Sequence, residues 1–218
     1  MVTQIIPMRF YGFDTMIYLI GAIICLLIAY KATKLHSYTG KKQHFYLAAA
    51  FTIMGISLAT LTLTTAYTYY NMFYLGNSIY FFDQFFNMDD LGFWVYYLGA
   101  FVAYGLLVLM YTPELGKSGK FAPFIFAPTV LFSAHYFEYF NIVLFLMMAY
   151  VAFRASVNYF MKKSRPALLV AAGFVLLAAY HAIMPFAAFD KTLYVVAHGA
   201  HITGYASLLL MLLSTDKK

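Results

Sequence analysis

Apolar residues run through this sequence in blocks separated by short polar connectors. Seven blocks, at about 14–33, 45–68, 93–111, 121–136, 139–160, 167–187 and 193–213, are poor in charge. Each approaches the roughly 20 residues that an α-helix needs to cross a hydrocarbon core. The pattern predicts seven membrane-spanning helices in a single domain over 1–218, an all-α, polytopic, multi-pass bundle. The first connector holds Lys31, Lys34, Lys41 and Lys42 around Gly40. The third, 112–120, contains Pro113, Gly116 and Gly119, and the fifth is 161–166. The longest, 71–92, leaves no room for an extramembrane domain, and no internal repeat interrupts the series.

Residues 121–160 have no clear polar gap. As one helix they would be about 60 Å long, twice the thickness of the hydrocarbon core. A reversal is therefore expected at the one polar cluster, His135–Glu138–Asn141. Pro123 and Pro128 fall in the fourth block, which a membrane helix tolerates when its neighbours satisfy the freed carbonyls. The aromatic stretch 77–88 reads equally as an interfacial segment or as an extension of the third helix.

Charge fixes the expected orientation. With the N-terminus outside and the C-terminus inside, all of the 14 basic residues except Arg9 and Lys191 fall on the inner side. Asp14, Asp83, Asp89, Asp90, Glu138 and Asp190 fall outside. This follows the positive-inside rule, and an even number of spans would break it. Residues 1–8 have no positive n-region, so the first block is expected to stay as a spanning helix and not as a signal peptide.

Composition agrees with this picture. The chain is 64% hydrophobic and 10% charged, whereas soluble domains run near 45–50% and about 25%. That excludes a soluble globular enzyme, a disordered chain and a nucleic-acid module. The net charge of +6 belongs to the connectors and reports orientation. The single cysteine, Cys25, cannot form an intrachain disulfide and leaves the redox compartment open. The expected location is the cell membrane, with the lipid bilayer as first partner.

Ionisable residues at membrane depth are the candidates for chemistry. On the predicted spans His181 lies roughly 9 Å below the outer edge, and His198 and His201 roughly 7 and 12 Å. His135 ends the fourth span, with Glu138 one turn later. His198 and His201 are i, i+3 and share a helix face. The candidate metal ligands are thus His135, Glu138, His181, His198 and His201, and the candidate cofactor ligands His181, His198 and His201. Three ligands and an open position would suit zinc. Two opposed imidazoles would suit the iron of haem b. The alternative for each histidine is polar bonding between helices. Thr60, Thr62, Thr64, Thr65 and Thr68 are expected to bond back to the preceding turn.

Retinal proteins share a seven-span layout but need a lysine in the last helix, and 193–213 has none. Alkaline ceramidases and adiponectin-receptor-like zinc hydrolases place H-x-x-x-H on the last helix, whereas this chain has His198-Gly-Ala-His201. The segment from Tyr30 to His44, with its lysines and Gly40, followed by Tyr46 to Phe51, resembles the basic hairpin of prokaryotic seven-helix sensor modules. The His-containing start of the last helix, His198 to Tyr205, is similar to theirs as well. Such modules often precede histidine kinases or cyclases. The resemblance implies a non-enzymatic sensing or binding module without that output domain, which passes its signal to a separate signalling or redox membrane protein. The alternative is a metal- or haem-dependent membrane enzyme or electron carrier built on the same histidines.

Overall fold

The computed structural model describes residues 11–74, 88–112, 136–187 and 189–215. They form helices α1 (Tyr11–Thr39), α2 (Lys42–Tyr74), α3 (Met88–Tyr111), α4 (Tyr136–Lys162), α5 (Arg165–Ile183) and α6 (Lys191–Thr215), with a 3-10 turn at Met184–Phe186. Each of these six helices contains a stretch long and apolar enough to cross a membrane. The chain is therefore a multi-pass helical protein of membrane type. The predicted fourth span, 121–136, lies outside the described residues, as does almost all of the 77–88 segment.

Local chemistry sets the helix ends. Gly40 has φ +63° and its N–H reaches the His36 carbonyl at 2.8 Å, the αL cap in which a left-handed residue satisfies an orphan carbonyl. Lys163, at φ 47°, does the same for the Tyr159 carbonyl at 2.7 Å. The Ser164 hydroxyl then accepts the Ala167 N–H at 3.4 Å, and Pro166 sits in the first turn of α5. Pro185 cannot donate to the α-helical ladder, and α5 gives way there to the 3-10 turn.

Two sequence expectations change. Lys31 and Lys34 belong to α1, so the first connector shrinks to Gly40 and Lys41. The reversal expected at His135–Glu138–Asn141 does not fall at Glu138 or Asn141, because α4 is continuous from Tyr136 through both, while His135 lies outside the described residues. Asn141 is buried and bonded inside the bundle, which draws the helix through this polar point.

Among the described residues the helices close a ring, each packing against the next and α6 against α1. The directions are informative. α1 and α2 are antiparallel, with Thr15 bonded to Thr65 at 3.2 Å. α5 and α6 are antiparallel too, with Ser207 donating to the Leu169 carbonyl at 3.0 Å. α3 and α4 are parallel. Tyr97, in the first half of α3, meets Phe137 and Asn141 in the first two turns of α4, while Thr112 bonds Tyr150 and Arg154 reaches the Tyr111 carbonyl farther along. α1 and α6 are parallel as well, since Asp14 faces His198 and Gly21 faces Tyr205. The chain thus leaves α3 at one end of the bundle and enters α4 at the other.

Several polar side chains of the helices are turned inward among apolar ones. Asp14, Ser57, Thr62, Thr65, Asn141, His181, His198, His201 and Ser207 are buried, while Leu63, Leu146, Phe153 and Phe160 face outward. Thr60, Thr62, Thr64 and Thr65 bond back to carbonyls of the preceding turn at 2.8–3.0 Å, as threonines in apolar helices do.

Close approach of α5 and α6 depends on two glycines. A Cβ on Gly173 would lie 2.7 Å from Leu208 Cγ and 3.0 Å from the Gly204 carbonyl, and one on Gly204 would lie 3.0 Å from the Gly173 carbonyl. Nothing lies within 4 Å of a Cβ on Gly199. Gly173→Ala and Gly204→Ala should each destabilise the bundle by about 1–3 kcal/mol, and Gly199→Ala should not. Denaturant unfolding in detergent measures this, and equal effects at all three positions would contradict the packing.

Candidate functional site

The buried polar side chains form two groups on either side of the last turn of α5. The first joins three helices through His181. Asn141 on α4 donates its amide N–H groups to the carbonyl of Phe137 and the hydroxyl of Tyr97, both at 2.9 Å. A carbonyl can only accept, so Asn141 must present its oxygen to His181. His181 Nδ1 lies 3.0 Å from that oxygen and therefore carries the proton. Nε2 is left as an acceptor, and the Tyr104 hydroxyl donates to it at 3.0 Å. This fixes a neutral imidazole in one tautomer, with both nitrogens engaged by α3 and α4.

The second group lies between α1, α5 and α6. Asp14 Oδ1 sits 3.9 Å from His198 Nε2, with both side chains fully buried. That separation is an ion-pair distance and too long for a direct hydrogen bond. The rings of Tyr194, Tyr18 and Tyr180 surround His198, with centroids 4.5, 5.6 and 5.7 Å away. His201 stacks on Tyr180 at 4.1 Å and 14°, and Tyr205 touches its other side at 4.7 Å. Neither ring nitrogen of His201 has a hydrogen-bond partner among the described residues. The His198 and His201 ring centroids are 6.5 Å apart.

The expected site residues divide accordingly. His181, His198 and His201 are all buried, toward the end of the bundle where α1 and α6 begin. Tyr180 touches all three rings. Glu138 lies in the first turn of α4 and is partly exposed. His135 lies outside the described residues. Among the described residues no three of His, Cys, Asp and Glu are grouped so as to hold a metal ion. Sequence reasoning overlooked Asp14 as an interior residue and treated Asn141 as part of a turn. A signal existed for Asp14. Asp14, Tyr18 and Cys25 follow one helical face of α1 with Gly21 and Ala22 between them, while Phe13, Met16, Ile20, Ile23 and Leu27 occupy the other.

No protein-family model matches the chain, and neither does any curated protein or solved structure.

The His181 network can be weighed by a double-mutant cycle. Asn141→Ala and His181→Ala should couple by about 0.6–1.7 kcal/mol, the range for interhelical hydrogen bonds in a membrane protein. The cycle is read from unfolding in detergent. Strict additivity would show that the two side chains do not act together.

Proposed function

We propose that this chain is a seven-crossing module of the cell membrane, with its N-terminus outside and C-terminus inside, that senses or binds through the buried group at its outer end and is not an enzyme. The two parallel pairs, α3 with α4 and α1 with α6, support an odd number of crossings, in keeping with the fourth span expected from the sequence at 121–136. Charge supports the orientation. Lys34, Lys41, Lys42, Lys162, Lys163 and Arg165 gather at one end of the bundle, and Asp14, Asp89, Asp90, Glu138 and Asp190 at the other.

One observation carries the sensing role: a buried carboxylate and imidazole 3.9 Å apart join the first and last described helices, beside a second histidine without hydrogen bonds among the described residues. Polar groups so placed are costly in a bundle interior, and in membranes they mark sites where binding or charge is read. A stimulus acting on this pair acts directly on the α1–α6 seam. The output goes to a separate membrane partner. The unbonded imidazole of His201 also favours a second reading, a metal- or haem-dependent enzyme or electron carrier. Stoichiometric zinc or a Soret band in the purified protein would select it.

Orientation is tested by thiol labelling in whole cells, because Cys25 is buried and silent. Cysteine at the highly exposed Phe189 should react with an impermeant reagent, and cysteine at Lys41 should not. The reverse pattern would invert the topology. The sensing role is tested with spin labels at Met16 and Val195, both outward-facing on α1 and α6. Acidification, zinc or haemin should move their distance distribution in lipid nanodiscs, and His198→Gln should abolish that response. A distribution unmoved by all three would count against a sensor.

A further inference from the structure

We infer that the two short hairpins at the basic end of the bundle, α1–α2 and α4–α5, form a binding surface for the phosphate groups of anionic lipids. The inference rests on the membrane-spanning reading and not on the sensing role.

The two hairpins are built alike. Each turns on a left-handed residue, Gly40 or Lys163, whose N–H caps the preceding helix. The first carries Lys34, Lys41 and Lys42 beside the exposed rings of Tyr38 (75%) and Phe45 (55%). The second carries Lys162, Lys163 and Arg165 beside exposed Phe160 (69%) and Met161 (73%). Among the described residues no aspartate or glutamate lies at this end. The first turn is held firmly. His36 Nδ1 donates to the Lys41 carbonyl at 3.0 Å, and the Thr39 hydroxyl accepts the Lys41 N–H at 3.4 Å.

Depth selects the occupant. The outward apolar face of α1 begins at Phe13 and continues through Ile20 and Leu27 to Tyr30. At 1.5 Å per residue Lys34 lies about 31 Å from Phe13, and the Gly40 turn about 40 Å. The hydrocarbon core is about 30 Å thick and the headgroup layer adds about 5–8 Å on each side. The cations and exposed rings therefore fall at the phosphate layer, continuous with the lipid-facing surface. Aromatic rings settle at this depth. A lysine near an anionic leaflet contributes about 1 kcal/mol, roughly fivefold in association. A soluble acidic protein would match the charge but would leave the outward rings unaccounted for.

The test uses spin-labelled lipids in phosphatidylcholine bilayers holding the full chain. Labelled phosphatidylglycerol should be enriched at the protein about fivefold or more over labelled phosphatidylcholine. The variant K41Q/K42Q/K162Q/K163Q should lose most of that preference, and high salt should do the same to the unaltered protein. Should the fourfold variant fail to fold, K41Q/K42Q and K162Q/K163Q are tested separately, and each should lose part of the preference. Equal association of the two lipids, or a preference that survives both salt and substitution, would overturn the proposal. A preference lost in salt but kept in the variant would overturn it as well, since other cations would then be responsible.

Discussion

Hydrocarbon offers no hydrogen-bond partner, so a polar group carried into the bilayer must find one inside the protein. That constraint explains why polar side chains such as Asn141 and His181 are turned into the bundle. The threonines of α2 meet it locally by bonding the carbonyl one turn back. Asn141 and His181 cannot meet it on their own helices. Asn141 spends one N–H on its own helix, at Phe137, and its remaining groups reach Tyr97 and His181. The result is an interhelical chain, Tyr97–Asn141–His181–Tyr104, in which both amide N–H groups of Asn141, the His181 Nδ1–H and the Tyr104 O–H all have acceptors. It ties α3, α4 and α5 together at one level of the bundle.

The seam between α1 and α6 is closed by different chemistry. Where α5 meets α6, glycines bring backbones into contact and dispersion holds them. Where α1 meets α6, large aromatic rings and an ion-pair distance replace close backbone packing. Aromatic contacts tolerate small displacements better than a backbone interface built on Gly173 and Gly204. The His181 network joins α3, α4 and α5, the glycine interface joins α5 to α6, and α1 meets α6 through Asp14, His198 and the tyrosine rings.

Most of the architecture is legible in the sequence because membrane helices announce themselves by length and hydropathy. Five predicted blocks fall within helices α1 to α4 and α6, and the sixth ends in the 3-10 turn of α5. The errors arose where one residue serves two physical purposes. Asn141 looks like a turn residue from composition alone, yet burial with three side-chain hydrogen bonds makes it a helix–helix fastener. Asp14 looks like an outer-loop acid, yet it is fully buried against His198. The three inner histidines were found because an imidazole at depth is conspicuous. Their division into a saturated and an unsaturated group was hidden, because it depends on helix rotation, and helices that are apolar on every side carry little rotational signal. The tyrosines were hidden for a related reason. With 21 of them in the chain, their number concealed the seven that are buried in the core among the described residues.

The last turn of α5 links the two groups. Tyr180 and His181 are consecutive, so their side chains leave the helix about 100° apart. His181 points to α3 and α4, and Tyr180 points to α6 and to the rings around His198. Two residues beyond, α5 ends in the 3-10 turn at Pro185, a weaker form of helix that allows its final turn to adjust. Tyr180 lies against the rings of His181, His198 and His201, so the hydrogen-bonded group and the group around Asp14 meet at this one ring on α5.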